Sequence, residues 1–157
     1  MNRVRRGLKR LRHRKGHGVH SPYIYSIVRE VFMTKSHNKT ATPLRERLKS
    51  INTKDRVSHQ IENLASHCGY TDFSVDSFQD GYQLVICTTA ITTESTLDII
   101  THSEQSGTTV VVMSPYSSRE REILTDKIVE SHHSTTIDKR EYLVIFNNHL
   151  PKQHFEL

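Results

Sequence analysis

The chain has 157 residues, which is enough for one domain that buries its own core and too few for two domains of ordinary size. Its hydrophobic content of 34% is low and it has no tryptophan, so we expect a modest core that a partner would help to stabilise. No apolar run approaches the length of a membrane span and the N-terminus lacks the apolar centre of a secretory signal, which predicts a cytoplasmic protein.

The net charge of +5 is distributed unevenly along the chain. Nine of the 22 basic residues and none of the 17 acidic ones precede Glu30. Val4, Leu8 and Leu11 add a narrow apolar stripe at helical spacing. Residues 1–16 are therefore predicted to be a basic arm, for which three interpretations stay open: it is solvated or packs on the protein, it binds RNA or another polyanion through phosphates, or it binds a membrane surface. The candidate nucleic-acid-binding residues are Arg3, Arg5, Arg6, Lys9, Arg10, Arg12, Arg14 and Lys15.

A first amphipathic helix is predicted after the arm. Ser21 is a good N-cap, and Pro22 suits the first helical position because its missing N–H would have no helical partner there. The apolar residues that follow at helical spacing are Ile24, Ile27, Val28 and Val31. His17 and His20 precede this helix without a third ligand at metal-site spacing, so a capping or hydrogen-bonding role is favoured and no metal site is predicted.

Two further helices are predicted over residues 44–51 and 54–68, and Gly69 follows the second as a helix stop. Cys68 closes that helix, and the other cysteine, Cys87, ends a predicted buried strand. Both positions are typical of small apolar side chains in a reducing compartment, which favours free thiols over a disulfide.

The central stretch predicts a strand, a crossover helix and a second strand. Residues 83–87 and 108–113 are short apolar runs, typical of strands that are buried on both faces of a parallel sheet. Between them, residues 93–105 are predicted to form a helix that stops at Gly107. Such a unit indicates an α/β sheet.

The C-terminal part predicts one more helix and an antiparallel end to the sheet. Residues 117–120 match a capping box that leads into a helix ending near Ser131. The predicted buried stripe of this helix is Ile123, Leu124, Ile128 and Val129. For His132 and His133, a helix-end charge or a polar turn is favoured over a metal site. Residues 135–138 and 142–146 predict a hairpin, and residues 153–157 a last short strand.

Residues 17–32, HGVHSPYIYSIVREVF, resemble the N-terminal signature of a group of bacterial class I methyltransferase-like proteins. In that group a basic segment leads into a helix of the pattern hGvHSPf.f ahead of a Rossmann-like domain. Residues 60–75 are similar to the family's next helix and its "gl.ni.v" strand, and residues 80–86 to its "fDlvfiD" strand. Residues 94–97 are similar to the helix that follows, and residues 152–157 to the last strand.

The resemblance implies a shortened fold. Between the N-terminal helix and residue 68, where the family has its first strand and the glycine loop for S-adenosylmethionine, residues 34–68 contain no glycine. We therefore expect a truncated Rossmann-like α/β sheet with helices on its faces and an antiparallel C-terminal hairpin. The expected domains are the arm, 1–16, and one α/β domain, 17–157, made of N-terminal helices, 17–52, and a half Rossmann-like core, 53–157.

The positions where the resemblance implies acidic residues are also altered. After the strand that ends at Ile86 the family usually has an Asp, and this chain has Cys87-Thr88-Thr89-Ala90. After the strand that ends at Val112 the family often has an acidic pair, and this chain has Met113-Ser114-Pro115-Tyr116. A threonine or methionine cannot hold a cation or orient an acceptor with comparable charge. No catalytic residue is predicted, and the candidates for an atypical cofactor site are Thr88, Thr89, Ser114 and Tyr116.

Three hypotheses for the function follow. The first is a degenerate methyltransferase-like protein that neither binds S-adenosylmethionine nor catalyses a reaction and acts as a binding or assembly module. An active S-adenosylmethionine-dependent methyltransferase with an atypical site is the second, and a nucleic-acid-binding protein that uses the basic arm is the third. The missing strands would leave an open sheet edge, which favours a homodimer.

Overall fold

The structure is a computed structural model that describes residues 21–34, 42–147 and 150–157. Within these ranges the chain forms two compact units, a helical unit up to Thr71 and an α/β unit from Asp72 onward. The predicted basic arm with all of its candidate nucleic-acid-binding residues, as well as His17 and His20, lies outside the described residues. The predicted division into an arm and a single domain stays a prediction. None of the helices in the described ranges has the length and apolar content that a membrane crossing needs.

The helical unit begins with helix α1, Pro22–Ile27, which continues as a π-helical turn, Val28–Phe32. The Ser21 side chain caps α1 by accepting a hydrogen bond from the Ile24 N–H at 3.4 Å, as predicted. The predicted apolar face is confirmed, because all four of its residues are at most 1% exposed. The π-helical turn was not predicted from the apolar spacing; it is marked by the Met33 N–H donating to the Val28 carbonyl at 3.0 Å.

Helices α2, Pro43–Ser50, and α3, Asp55–Cys68, complete the helical unit. Their ends lie within one residue of the predicted ones. Thr42 caps α2, and Gly69 ends α3 with a φ of 71°, in the left-handed region that the predicted helix stop requires.

A buried ion pair joins α2 to α3. The Arg45 Nη1 lies 3.3 Å from the Glu62 Oε2, and the two residues are only 6% and 2% exposed. The Thr42 hydroxyl donates to the other carboxylate oxygen of Glu62 at 2.6 Å. The N-cap of α2 and the middle of α3 are thereby held by one carboxylate.

The α/β unit has a six-stranded mixed sheet in the order β1-β2-β3-β5-β4-β6. Its strands are β1 Phe73–Val75, β2 Leu84–Cys87, β3 Thr109–Met113, β4 Thr136–Asp138, β5 Tyr142–Ile145 and β6 His154–Glu156. Strands β1, β2 and β3 are parallel, β5 is antiparallel to both of its neighbours, and β6 is parallel to β4. The predicted α/β class and the β4–β5 hairpin are confirmed, whereas the pairing of β6 with β4 was not predicted.

Two helices pack on one face of this sheet, α4, Thr93–Ser106, and α5, Arg119–Ser131. Helix α4 connects the parallel strands β2 and β3, as predicted, and Gly107 ends it with a φ of 76°. The shared core consists of Val85, Cys87, Ile99, Ile100, Val110, Val112, Leu124, Ile128, Leu143 and Ile145. Cys68 and Cys87 are both free thiols, as expected.

Two predictions for α5 are wrong. Ser118 rather than Ser117 is the N-cap, since its hydroxyl accepts from the Arg121 N–H at 3.2 Å, while the Glu120 carboxylate accepts from the Thr93 hydroxyl at 3.0 Å. Ile123 is 55% exposed instead of buried. Residues 121, 124, 125 and 128 form the inner stripe of α5, and Ile123 therefore lies on the opposite side of the helix.

His132 ends α5 and is 3% exposed. Its Nδ1 lies 2.8 Å from the Glu104 carboxylate at the end of α4, and its Nε2 lies 3.0 Å from the Phe146 carbonyl after β5. Both ring nitrogens are therefore within hydrogen-bonding distance of an oxygen atom from another part of the α/β unit. His132 thus lies at the end of α5, as predicted, and contacts both α4 and the chain after β5. The predicted charge role stays a prediction.

Candidate functional site at the carboxyl edge

The ends of several strands meet at one edge of the sheet, which we call the carboxyl edge. Asp76 follows β1, Thr88 follows β2, Ser114 follows β3 and Asp138 ends β4. Strand β4 runs in the same direction as β3 because β5 is antiparallel to both. In α/β sheets, ligands bind in the crevice outside the carboxyl ends of the strands. The carboxyl edge is therefore where a ligand site of this fold class is expected.

Asp76, which follows β1, and Thr88, which follows β2, are joined by two hydrogen bonds. One carboxylate oxygen of Asp76 accepts from the Thr88 N–H at 2.6 Å and the other from the Thr88 hydroxyl at 2.7 Å. The same hydroxyl accepts from the Ala90 N–H at 3.0 Å. Asp76 has a φ of 59°, in the left-handed region that Asp tolerates better than most residues. Sequence reasoning missed Asp76, although an acidic residue directly after a short strand was a usable signal.

Arg121 lies across the ends of β2 and β3. From the first turn of α5 its guanidinium donates to three backbone carbonyls, those of Met113 at 2.6 Å, Ser114 at 3.3 Å and Thr88 at 3.4 Å. The residue is only 7% exposed. Sequence reasoning missed Arg121 as well. A cation in the first turn of a helix opposes the helix dipole, and that local conflict could have indicated a tertiary role.

Burial at the carboxyl edge disfavours the thiolate form of Cys87. Burial raises the pKa of the Cys87 thiol to about 12, the Asp76 carboxylate adds to this rise, and the Arg121 guanidinium opposes it. Burial also lowers the pKa of Arg121, whereas Cys87 and Asp76 act in the opposite direction. Because the thiolate is the nucleophilic form of cysteine, Cys87 at neutral pH is a buried apolar side chain.

Tyr116 is engaged at a different point of the carboxyl edge. Its hydroxyl donates to the Asp138 carboxylate, which is fully buried and also accepts from the Arg140 N–H at 2.6 Å. Arg140 has a φ of 67° in the turn between β4 and β5. Tyr116 thus links the segment after β3 to the β4–β5 hairpin by a hydrogen bond.

The structure brings together only part of the predicted atypical cofactor site. The Arg121 guanidinium donates hydrogen bonds to the backbone carbonyls of both Thr88 and Ser114 and so links these two candidates. Thr89 is exposed, and Tyr116 lies with Asp138. Among the described residues there is no group of three or more His, Cys, Asp or Glu side chains placed to hold a metal ion.

Comparison of the chain with protein-family models, with curated proteins and with solved structures gives no match. The relation of residues 17–32 to the methyltransferase-like signature is therefore a hypothesis supported by the residues alone. The α/β class rests on the sheet and helices described above.

Proposed function

We propose that this chain is a shortened, degenerate relative of the class I methyltransferases that acts as a binding or assembly module. It neither binds S-adenosylmethionine nor transfers a methyl group. The observation that carries the proposal is the position of Arg121, whose guanidinium binds the carbonyls of Thr88, Met113 and Ser114. A ligand placed against the ends of β2 and β3 would have to displace this buried cation from all three.

The other groups at the carboxyl edge support the same proposal, because they do not fit S-adenosylmethionine. Such a cofactor needs backbone that approaches it closely, usually at glycines, and a carboxylate that accepts from its ribose hydroxyls. Here both oxygens of Asp76 already accept hydrogen bonds from Thr88. The residue that ends β2, where the family usually places an acid nearby, is the neutral thiol Cys87.

A calorimetric titration of the full chain with S-adenosylmethionine tests this proposal. We expect no binding heat beyond dilution, because the carboxyl edge is occupied by the protein's own side chains. S-adenosylhomocysteine serves as a second ligand, since it lacks the sulfonium charge that a nearby Arg121 would repel. A saturable isotherm with micromolar affinity for either compound would remove the proposal and favour an active methyltransferase.

One feature of the sequence favours a second function: residues 1–29 contain nine Lys and Arg residues and no Asp or Glu. In this proposal the basic arm binds the phosphates of RNA or DNA, because clustered Arg and Lys release counterions without regard to sequence.

Deleting residues 1–15 should abolish binding to a generic RNA and leave the circular dichroism spectrum unchanged in shape. For the full chain, a contact set of about six phosphates should lose about three decades in affinity between low and physiological salt. Fluorescence anisotropy with a labelled RNA measures both effects. Aggregation of the truncated chain would instead place Val4, Leu8 and Leu11 in the core and contradict this function.

A further inference from the structure

The first helix of the helical unit has an exposed outer side as well as its buried apolar face. Tyr25 is 41% exposed and Met33 is 48% exposed, and the exposed Arg29 falls between them. The guanidinium carbon of Arg29 lies 5.8 Å from the centroid of the Tyr25 ring. We call Tyr25, Arg29 and Met33 the outer face. It combines an aromatic ring, a stacked cation and an unbranched apolar side chain.

The neighbouring polar side chains of the same helix are turned toward α3. The Tyr23 hydroxyl lies 3.4 Å from the Cys68 Sγ, and burial raises the pKa of Tyr23 well above its usual value. The Ser26 hydroxyl lies 3.3 Å from one ring nitrogen of His67, and the Glu30 carboxylate 3.1 Å from the other. The carboxylate nearest in sequence to Arg29, that of Glu30, thus contacts His67 on α3.

We propose that the outer face is a stacking platform for the bases of single-stranded RNA or DNA whose phosphates bind the basic arm. An exposed aromatic ring with an arginine against it suits nucleobases, which stack on aromatic faces and on guanidinium planes. Tyr25 follows Lys15, the last basic residue of the arm, by ten positions, and ten residues of fully extended chain span at most about 35 Å. One short strand can therefore contact both.

Charge and composition favour nucleic acid over a lipid surface. Residues 1–29 have no acidic side chain, which complements a polyanion of either kind. A membrane-binding segment also needs large apolar anchors, and the arm has neither Trp nor Phe. The Arg29 guanidinium lies 5.8 Å from the centroid of the Tyr25 ring, and inserting Tyr25 into an apolar lipid layer would require this charged group to lose its water.

This inference rests on the second function proposed above and is tested on the full chain with a fluorescent oligouridylate. Tyr25→Ala should weaken binding about 10-fold, the loss of one stacked base. Tyr25→Phe keeps the ring and should bind nearly as well as the unmodified chain. The slope of affinity against salt should stay the same in Tyr25→Ala, because no phosphate contact is lost. Ile123→Ala, which removes an exposed apolar side chain from the α/β unit, is the matched control and should change nothing.

The possible outcomes distinguish base stacking on the outer face from phosphate binding by the basic arm. If deletion of residues 1–15 abolishes binding while Tyr25→Ala binds as well as the unmodified chain, the platform is overturned and the arm function stands. If the full chain does not bind oligouridylate at all, both are overturned. Binding to vesicles rich in phosphatidylserine that exceeds binding to oligouridylate, and that Tyr25→Ala weakens, overturns the platform in favour of a membrane surface.

Discussion

Replacing Glu62 with alanine should lower the free energy of unfolding by about 3–5 kcal/mol, the range for breaking a buried ion pair from one side. The Arg45 charge would lose its carboxylate at a position that is only 6% exposed. The Thr42 hydroxyl would also lose the oxygen to which it donates at 2.6 Å. Because Thr42 caps α2 and Glu62 lies on α3, the substitution weakens the contact between the two helices as well.

Urea unfolding followed by far-ultraviolet circular dichroism measures this loss. Lys49→Ala is the matched control, because its 3.5 Å pair with Asp55 joins side chains that are 50% and 77% exposed. Such a surface pair contributes less than about 1 kcal/mol. The double variant Arg45→Met/Glu62→Leu should be more stable than Glu62→Ala, since no charge is left buried. Equal effects of Glu62→Ala and Lys49→Ala would contradict the importance of the buried pair.

Replacing Arg121 with methionine should cost about 2–4 kcal/mol of unfolding free energy. The variant keeps much of the side-chain volume but removes the donor of three backbone carbonyls at the ends of β2 and β3. The carbonyls of Thr88 and Ser114 belong to half-buried residues, so water would replace part of the lost hydrogen bonding. Removing a cation from the first turn of α5 would return about 0.3–1 kcal/mol through the helix dipole.

Two variants make the Arg121 experiment specific. Arg119→Met changes an exposed arginine two residues earlier, which pairs with Glu122 at 3.1 Å, and its effect should stay below about 1 kcal/mol. Arg121→Lys keeps the charge without the planar fork of donors and should lie between wild type and Arg121→Met. If Arg121→Met is no less stable than Arg119→Met, the guanidinium does not hold the strand ends.

Features with local causes could be predicted from the sequence. Ser21 and Gly107 mark helix ends through their own side-chain or backbone chemistry, and both act as predicted. The continuous apolar runs predicted the parallel strands β2 and β3, because only strands buried on both faces need such composition. The wrong N-cap of α5 has a local origin too: Glu120 completes a capping-box pattern with Ser117, but its carboxylate accepts from Thr93 and the adjacent Ser118 caps the helix.

The candidate site could not be predicted in the same way. Asp76 and Thr88 are 12 positions apart, and the carbonyl of Thr88 is 33 positions from Arg121. Such contacts depend on which strands are neighbours, and hydrophobic periodicity does not encode that order. Arg121 conflicts with the helix dipole locally and is stabilised only by the tertiary fold. The homodimer and the cytoplasmic location stay predictions.

The guanidinium Nε–H signal of Arg121 in a heteronuclear NMR spectrum reports whether this side chain occupies the carboxyl edge. The Nε–H donates to the Ser114 carbonyl at 3.3 Å, so its signal, identified by its loss in Arg121→Lys, should exchange slowly with water. We expect the signal to keep its position when S-adenosylmethionine is added in large excess. Rapid exchange in the free protein, together with a saturable shift as the cofactor is added, would mean that the guanidinium leaves the carboxyl edge open to S-adenosylmethionine.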